Sequence, residues 1–246
     1  MKRFLLPLAA VLALLAGCKH SFKTDTYEDN LAMAIAEGSS DSLLFSIDLE
    51  YVTGGLPEEA MERINNTLAA VAFDMGDFQG SLEETAAQYR DQLVDEYLIE
   101  FSGGEAYDGA RSCEESIDGI FQPDYKQYKN YTLTYYNQIG SNLATYTINN
   151  LVFDPKTGEQ VSEDAFFRDG WREPVAEILR ASLQQSLAGE DEVLELIDMD
   201  MVAPNGNFSL DADGVEWVFQ PYELGAYVNT LVSARGSWKE LKPYLK

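Results

Sequence analysis

From Phe45 to Tyr51 apolar and polar side chains alternate, with Phe45, Ile47, Leu49 and Tyr51 set against Ser46, Asp48 and Glu50. A period of two is that of a strand with one buried face. Gly54-Gly55 turns the chain, and Pro57 suits the first turn of a helix. Met61, Ile64, Leu68 and Val71 then recur at helical spacing. Ser81-Leu82-Glu83-Glu84 reads as a capping box, opening a second helix whose apolar face is Leu82, Ala86, Tyr89, Leu93 and Tyr97. Residues 102–123 are rich in Gly, Asp and Ser, which predicts a loop or linker.

The second half is more strand-like. Tyr131, Leu133 and Tyr135 alternate with Thr132 and Thr134, and a partner strand runs from Ala144 to Phe153. Its alternation slips at Asn149-Asn150, which predicts a bulge. Asp154-Pro155-Lys156-Thr157-Gly158 reads as a tight turn. Trp171, Val175, Ile178, Leu179 and Leu183 mark a helix, and Asp211-Ala212-Asp213-Gly214 joins two short strands, the second being Val215 to Phe219. A short helix from Ser237 to Leu241 closes the chain. Helices and antiparallel strands in this order predict an α+β fold, an antiparallel sheet with helices packed on one face.

The N-terminus has a different pattern. Lys2 and Arg3 precede an apolar run from Phe4 to Leu15, followed by Ala16-Gly17-Cys18. As a helix that run reaches about 18 Å, short for a bilayer, and the arrangement is that of a lipoprotein signal cut before Cys18. Residues 1–17 are therefore expected to be removed, and Cys18 to be acylated. Residues 18–40 are expected to form a polar tether, helical near Leu31 to Ala36. Lys19 stands where aspartate signals inner-membrane retention in some bacteria, so outer-membrane placement is expected.

Without residues 1–17 the chain keeps 15 basic and 42 acidic residues, a formal charge of −27. Such a surface repels nucleic acid and anionic lipid headgroups and attracts a basic protein or a cation. The one histidine, His20, sits beside the anchor, and Cys113 has no cysteine partner once Cys18 is acylated. A Cys–His dyad, a Ser–His–Asp triad and an HExxH zinc site all lack their base or ligand in the folded region. Carboxylates flank Cys113 in Arg111-Ser112-Cys113-Glu114-Glu115 and would raise its thiol pKa, so it reads as a buried small residue.

Asp211-x-Asp213-Gly214 reads as a hairpin turn rather than half a calcium loop, because Ser209 and Gln220 replace the further ligands. No metal or cofactor is expected. Glu190-Asp191-Glu192 and Asp198-Met199-Asp200 read as solvated helix ends. Tyr125, Tyr128, Tyr131, Tyr135 and Tyr136, followed by Asn137-Gln138, offer an aromatic platform for a glycan or a protein, against packing of Tyr131 and Tyr135 into the core. The candidate partner-binding residues are Tyr135, Tyr136, Asn137, Gln138 and Asn142.

Several runs resemble a known extracytoplasmic family. They are Lys129-Asn130-Tyr131-Thr132-Leu133-Thr134-Tyr135-Tyr136, Asn150 through Glu159, Ala165-Phe166-Phe167, and Asn207 through Tyr227 with its Phe-Gln-Pro-Tyr-Glu-Leu-Gly-Ala-Tyr ending. Together they are similar to the domain of RsiV-type anti-sigma factors, also found beside PdaC-type peptidoglycan deacetylases and in stand-alone lipoproteins. The resemblance covers residues 40–246 and implies an α+β domain that binds rather than catalyses, in two subdomains. Residues 41–125 would be PdaC-like and residues 126–246 RsiV-like. RsiV-type members are similar to receptors for lysozyme, a basic muramidase. This chain has Gln138-Ile139-Gly140-Ser141-Asn142-Leu143 where the family often carries a histidine loop, and it lacks the deacetylase domain.

The expected function is that of a lipid-anchored, non-enzymatic binding protein of the cell envelope, with a lysozyme-like muramidase or another cell-wall-related partner. The alternatives are a peptidoglycan- or glycan-binding accessory lipoprotein and a carboxylate-based hydrolase.

Overall fold

The structure, a computed structural model, describes residues 21–34, 41–74, 80–102, 112–140 and 144–246. Its element order is β1 (Lys23–Ala34), β2 (Ser42–Gly54), α1 (Glu58–Ala72), α2 (Leu82–Ser102), β3 (Cys113–Tyr125), β4 (Tyr128–Ile139) and β5 (Thr145–Phe153). Then come α3 (Glu163–Phe166), α4 (Arg172–Ser186), α5 (Asp191–Leu194), β6 (Phe208–Leu210), β7 (Gly214–Phe219), β8 (Val232–Ser237) and α6 (Trp238–Leu241). β1 to β5 form one sheet in sequence order, and β6 to β8 form a second. The fold is α+β, as the order of patterns predicts.

Several local expectations are replaced. Residues 23–34 are not a spacer with a helical stretch: they are β1, with Tyr27, Leu31 and Met33 on one face against Leu49, Phe45 and Leu43 of β2. The polar positions between them form the solvent side of an edge strand, which gives the segment the composition of a spacer. The Gly/Asp/Ser-rich stretch becomes β3 from Cys113 onward, its alternation being Cys113, Glu115, Ile117 and Gly119 facing inward. The first sheet is mixed, since β2 and β3 run parallel while the other three pairs are antiparallel. α1 and α2 supply the crossover that a parallel pair requires. No bulge forms at Asn149-Asn150; β4 and β5 stay in continuous register from Lys129–Phe153 to Asn137–Thr145.

Two faces of the first sheet have different cover. Phe45, Ile47, Leu49, Ile117, Tyr131, Leu133, Leu151 and Phe153 pack with Ile64, Leu68, Ala69 and Ala86 of α1 and α2 into one core. The capping box opening α2 forms, Glu84 N donating to Ser81 Oγ at 3.2 Å and Ser81 N to Glu84 Oε2 at 3.1 Å. The second sheet, with α4 against it, makes a separate core around Trp217, Phe219, Leu179 and Leu183. It meets the first sheet on the opposite face, along the β4–β5 end, through Val152, the side chain of Asn130, which donates to Leu210 O, and the backbone N–H of Asn150, which donates to Asn207 Oδ1. The 125/126 boundary falls at the two-residue turn Lys126-Gln127 that joins β3 to β4.

Candidate functional site

Tyr135 and Tyr136 are neighbours in sequence and opposites in the sheet. Tyr135 follows Tyr131 and Leu133 onto the face covered by α1 and α2, where its hydroxyl donates to the Val71 carbonyl. Tyr136 points to the other face, its hydroxyl donating to Gln138 Oε1 at 2.9 Å. Asn137 shares the covered face with Tyr135. Asn142 and Cys18 lie outside the described residues. The remaining platform tyrosines are dispersed: Tyr131 is core and donates to Glu50 O at 3.0 Å. Tyr125 stacks on Trp238 and Tyr128 meets Phe166 edge-on.

On the covered face the α1 end, α2, β4 and β5 leave a cleft of about 490 Å³. Its lining includes Phe73, Asp74, Tyr89, Tyr135, Thr147 and Asn149. Behind Tyr89, which lines the cleft, lies the buried carboxylate of Glu115, which the alternation of β3 turns inward. Glu115 Oε1 accepts from Tyr89 Oη at 2.6 Å and Oε2 from Asn137 Nδ2 at 3.1 Å. Both oxygens therefore serve as acceptors inside the fold. Burial pushes the Tyr89 and Tyr135 phenols well above their usual range, and the Glu115 charge pushes the same way. Both stay neutral donors, suited to hold a shape and not to transfer a proton. Sequence reading passed over Glu115 and Tyr89 as partners because they lie 26 residues apart.

Among the described residues, the other face is open away from the second sheet. Register places Glu28, Asp48 and Asp118 side by side on β1, β2 and β3. Neighbouring strands lie about 4.8 Å apart, so three like charges in a row repel. Ser116 Oγ donates to Asp118 Oδ2 at 3.2 Å. Around this row stand Leu44, Ile120 and Tyr146, exposed by 44%, 52% and 46%. Tyr136 and Gln138 complete the face. Exposed apolar side chains among carboxylates on a flat sheet have the make-up of a protein-binding patch. Among the described residues no group of three His, Cys, Asp or Glu could hold a metal ion, and no helix is long and apolar enough to cross a membrane.

Asp211 forms the hairpin turn expected of it, Oδ1 accepting from Asp213 N at 2.8 Å and Gly214 N at 2.9 Å. Glu163, a residue the sequence did not single out, is buried and accepts from the Trp217 indole at 2.6 Å.

A family model described as a protein of unknown function (DUF3298) matches residues 164–235, the stretch from α3 to β8. No curated protein matches the sequence. The fold is similar to the crystal structure of a DUF3298 family member from Bacteroides fragilis NCTC 9343, with a TM-score of 0.78 at 18% identity over 93% of this chain and 95% of that one. It is also similar to a DUF3298 family protein from Pseudomonas aeruginosa PAO1, with a TM-score of 0.68 at 12% identity over 92% and 94%.

Proposed function

We propose that this is a lipid-anchored, non-enzymatic binding protein of the cell envelope, whose open sheet face receives a basic protein. The observation that carries the reading is the in-register row Glu28–Asp48–Asp118 on an uncovered face dotted with Leu44, Ile120 and Tyr146. A cationic partner relieves the repulsion within the row while the apolar side chains are buried, and the formal charge of −27 left once residues 1–17 are removed speeds the encounter. The kinship with RsiV-type domains stands as part of the proposal and makes a basic, lysozyme-like muramidase the sharpest candidate. Acylation at Cys18 and outer-membrane placement belong to the same reading.

The cleft supports a second reading. Tyr89 and Tyr135 with Thr147 and Asn149 offer rings and short polar groups of the kind that hold a sugar, so a peptidoglycan fragment is the alternative ligand. A carboxylate hydrolase gains less from the geometry, since both oxygens of Glu115 are occupied.

Titrating a muramidase against the chain without its leader, at low and moderate salt, tests the first reading. Saturable binding that survives moderate salt and is lost in Asp48→Lys/Asp118→Lys supports it. Binding that salt abolishes, or that the double variant leaves intact, removes it; a saccharide fragment that binds and alters tyrosine emission then favours the cleft.

A further inference from the structure

The fold begins almost at the anchor. The Ser21 backbone is packed so closely on Gly55 that a Cβ there would lie 2.3 Å from the Ser21 carbonyl oxygen. Phe22 meets Phe121 edge-on at 5.0 Å between ring centroids, and the Lys129 ammonium sits 3.9 Å from the Phe22 ring centre. Only Lys19 and His20 separate Ser21 from Cys18. Three extended residues span at most about 11 Å, whatever conformation they take.

The same end of the sheet gathers lysines. Lys23 pairs with Gly54 at the end of β2. Leu49 is level with Gly119, which puts Gly54 near the level of Asp124, beside the Lys126-Gln127 turn. Lys126 Nζ lies 4.9 Å from the Tyr125 ring centre and 5.8 Å from that of Trp238, and the two rings stack at 4.7 Å. Lys239 follows Trp238, and Lys156 lies just beyond Phe153, the partner of Lys129. No lysine occurs at residues 24–125 or 157–238. Carboxylates share this end, among them Glu58, Asp124 (ion-paired with Lys129), Asp154, Asp213 and Glu240, so positive and negative groups are interspersed there.

We propose that this pole, with Ser21, Lys23, Lys126, Trp238 and Lys239, seats directly on the phospholipid headgroups of the membrane that holds the anchor, an inference that rests on Cys18 being the acylated residue. Whole-chain charge argues against lipid contact, but this pole holds lysines that residues 24–125 and 157–238 lack. Its lysines can reach phosphates, and Trp238 beside Tyr125 suits the interfacial layer. β1 then leads away from the bilayer over about 40 Å, so the open face stands upright and accessible from the side.

The test uses the full chain, acylated in a bacterial host. Fractionation of native protein and Cys18→Ala comes first, and a native chain found in the soluble fraction overturns the anchor and the seating together. Membrane-bound protein is then reconstituted in phosphatidylethanolamine–phosphatidylglycerol vesicles carrying a headgroup nitroxide. The expected result is loss of the Trp238 emission, identified as the component missing in Trp238→Phe, with Trp171 and Trp217 spared because both are buried. Membrane-bound protein whose Trp238 emission is not quenched overturns the seating while leaving the anchor standing.

Discussion

Gln220 hydrogen-bonds to both backbone groups of Ile148. Its Oε1 accepts from Ile148 N at 3.2 Å and its Nε2 donates to Ile148 O at 2.5 Å. One amide side chain thus does for the outer edge of β5 what a sixth strand would do. Asn207 continues the pattern, accepting from Asn150 N at 2.7 Å and donating to Ile148 O at 2.8 Å. The edge is paired without being extended, and the two sheets are joined by side chains rather than by a ladder.

Replacing Gln220 by alanine should therefore leave the Ile148 N–H without its partner, the carbonyl keeping Asn207, and cost about 1–3 kcal/mol. Hydrogen exchange separates this from a general loosening. The Ile148 amide should exchange faster while that of Asn150, held by Asn207, and those of β2 and β3 keep their protection. Uniform acceleration would show that the amide does not act as an edge strand.

Glu163 gives a second prediction, within the other core. Its Oε1 accepts from the Trp217 indole at 2.6 Å and from Gly206 N at 3.0 Å, and Arg172 lies 3.6 Å from Oε2. Glu163→Ala strands the indole N–H of a tryptophan that is fully buried, and should cost about 1–3 kcal/mol. Glu163→Gln keeps an acceptor and should recover part of that loss. Denaturant midpoints of the two variants check the order, and equal midpoints would refute the indole contact as the source.

The elements that were legible in the sequence are those whose pattern is local. The alternation at Phe45–Tyr51, the helical spacing from Met61 to Val71, the capping box at Ser81 and the short helix after Ser237 each became the element they predict. β1 and β3 were not legible, because an edge strand needs apolar side chains on only one side and Glu115 stands where a core residue is expected. Its burial depends on Tyr89 and Asn137, which no local window contains. The open acidic row is likewise a product of register: Glu28, Asp48 and Asp118 are ordinary polar positions in their own strands and meet only across three of them. Gln220 lay within a motif that stood out, but its role depends on an edge 72 residues earlier.

Asp211 carries a pH prediction. Burial opposes its charged form, but the Arg235 guanidinium at 2.5 Å and the Asp213 and Gly214 amides outweigh it and hold the carboxyl below its usual range. Because the folded value lies below the unfolded one, near 3.8, the contribution to stability is complete above that pH and is lost as pH falls through the folded value. The side chain is 46% exposed, so solvent screens the pair and the expected contribution is under about 1 kcal/mol. Asp211→Asn should melt below the parent near neutrality, and the gap should close in acid and narrow with salt. A gap that stays constant with pH would mean that the turn amides, not the charge, hold the hairpin.

Tyr135 and Tyr136 separate the two ligand readings. Tyr135→Phe takes the donor from the Val71 carbonyl and should cost about 1 kcal/mol. Tyr136→Phe removes only a contact to Gln138 on the open face, and should change stability by less than about 0.5 kcal/mol. Binding should divide differently from stability. A basic protein on the open face should lose affinity when Tyr136 becomes alanine and be indifferent to Tyr135→Phe at temperatures where that variant is folded. A saccharide in the cleft should be indifferent to Tyr136→Ala and lose affinity when Tyr135 becomes alanine, since the Tyr135 ring lines the cleft and Tyr136 points away. Measuring both ligands against both variants thus assigns the binding face by the parity of a single strand.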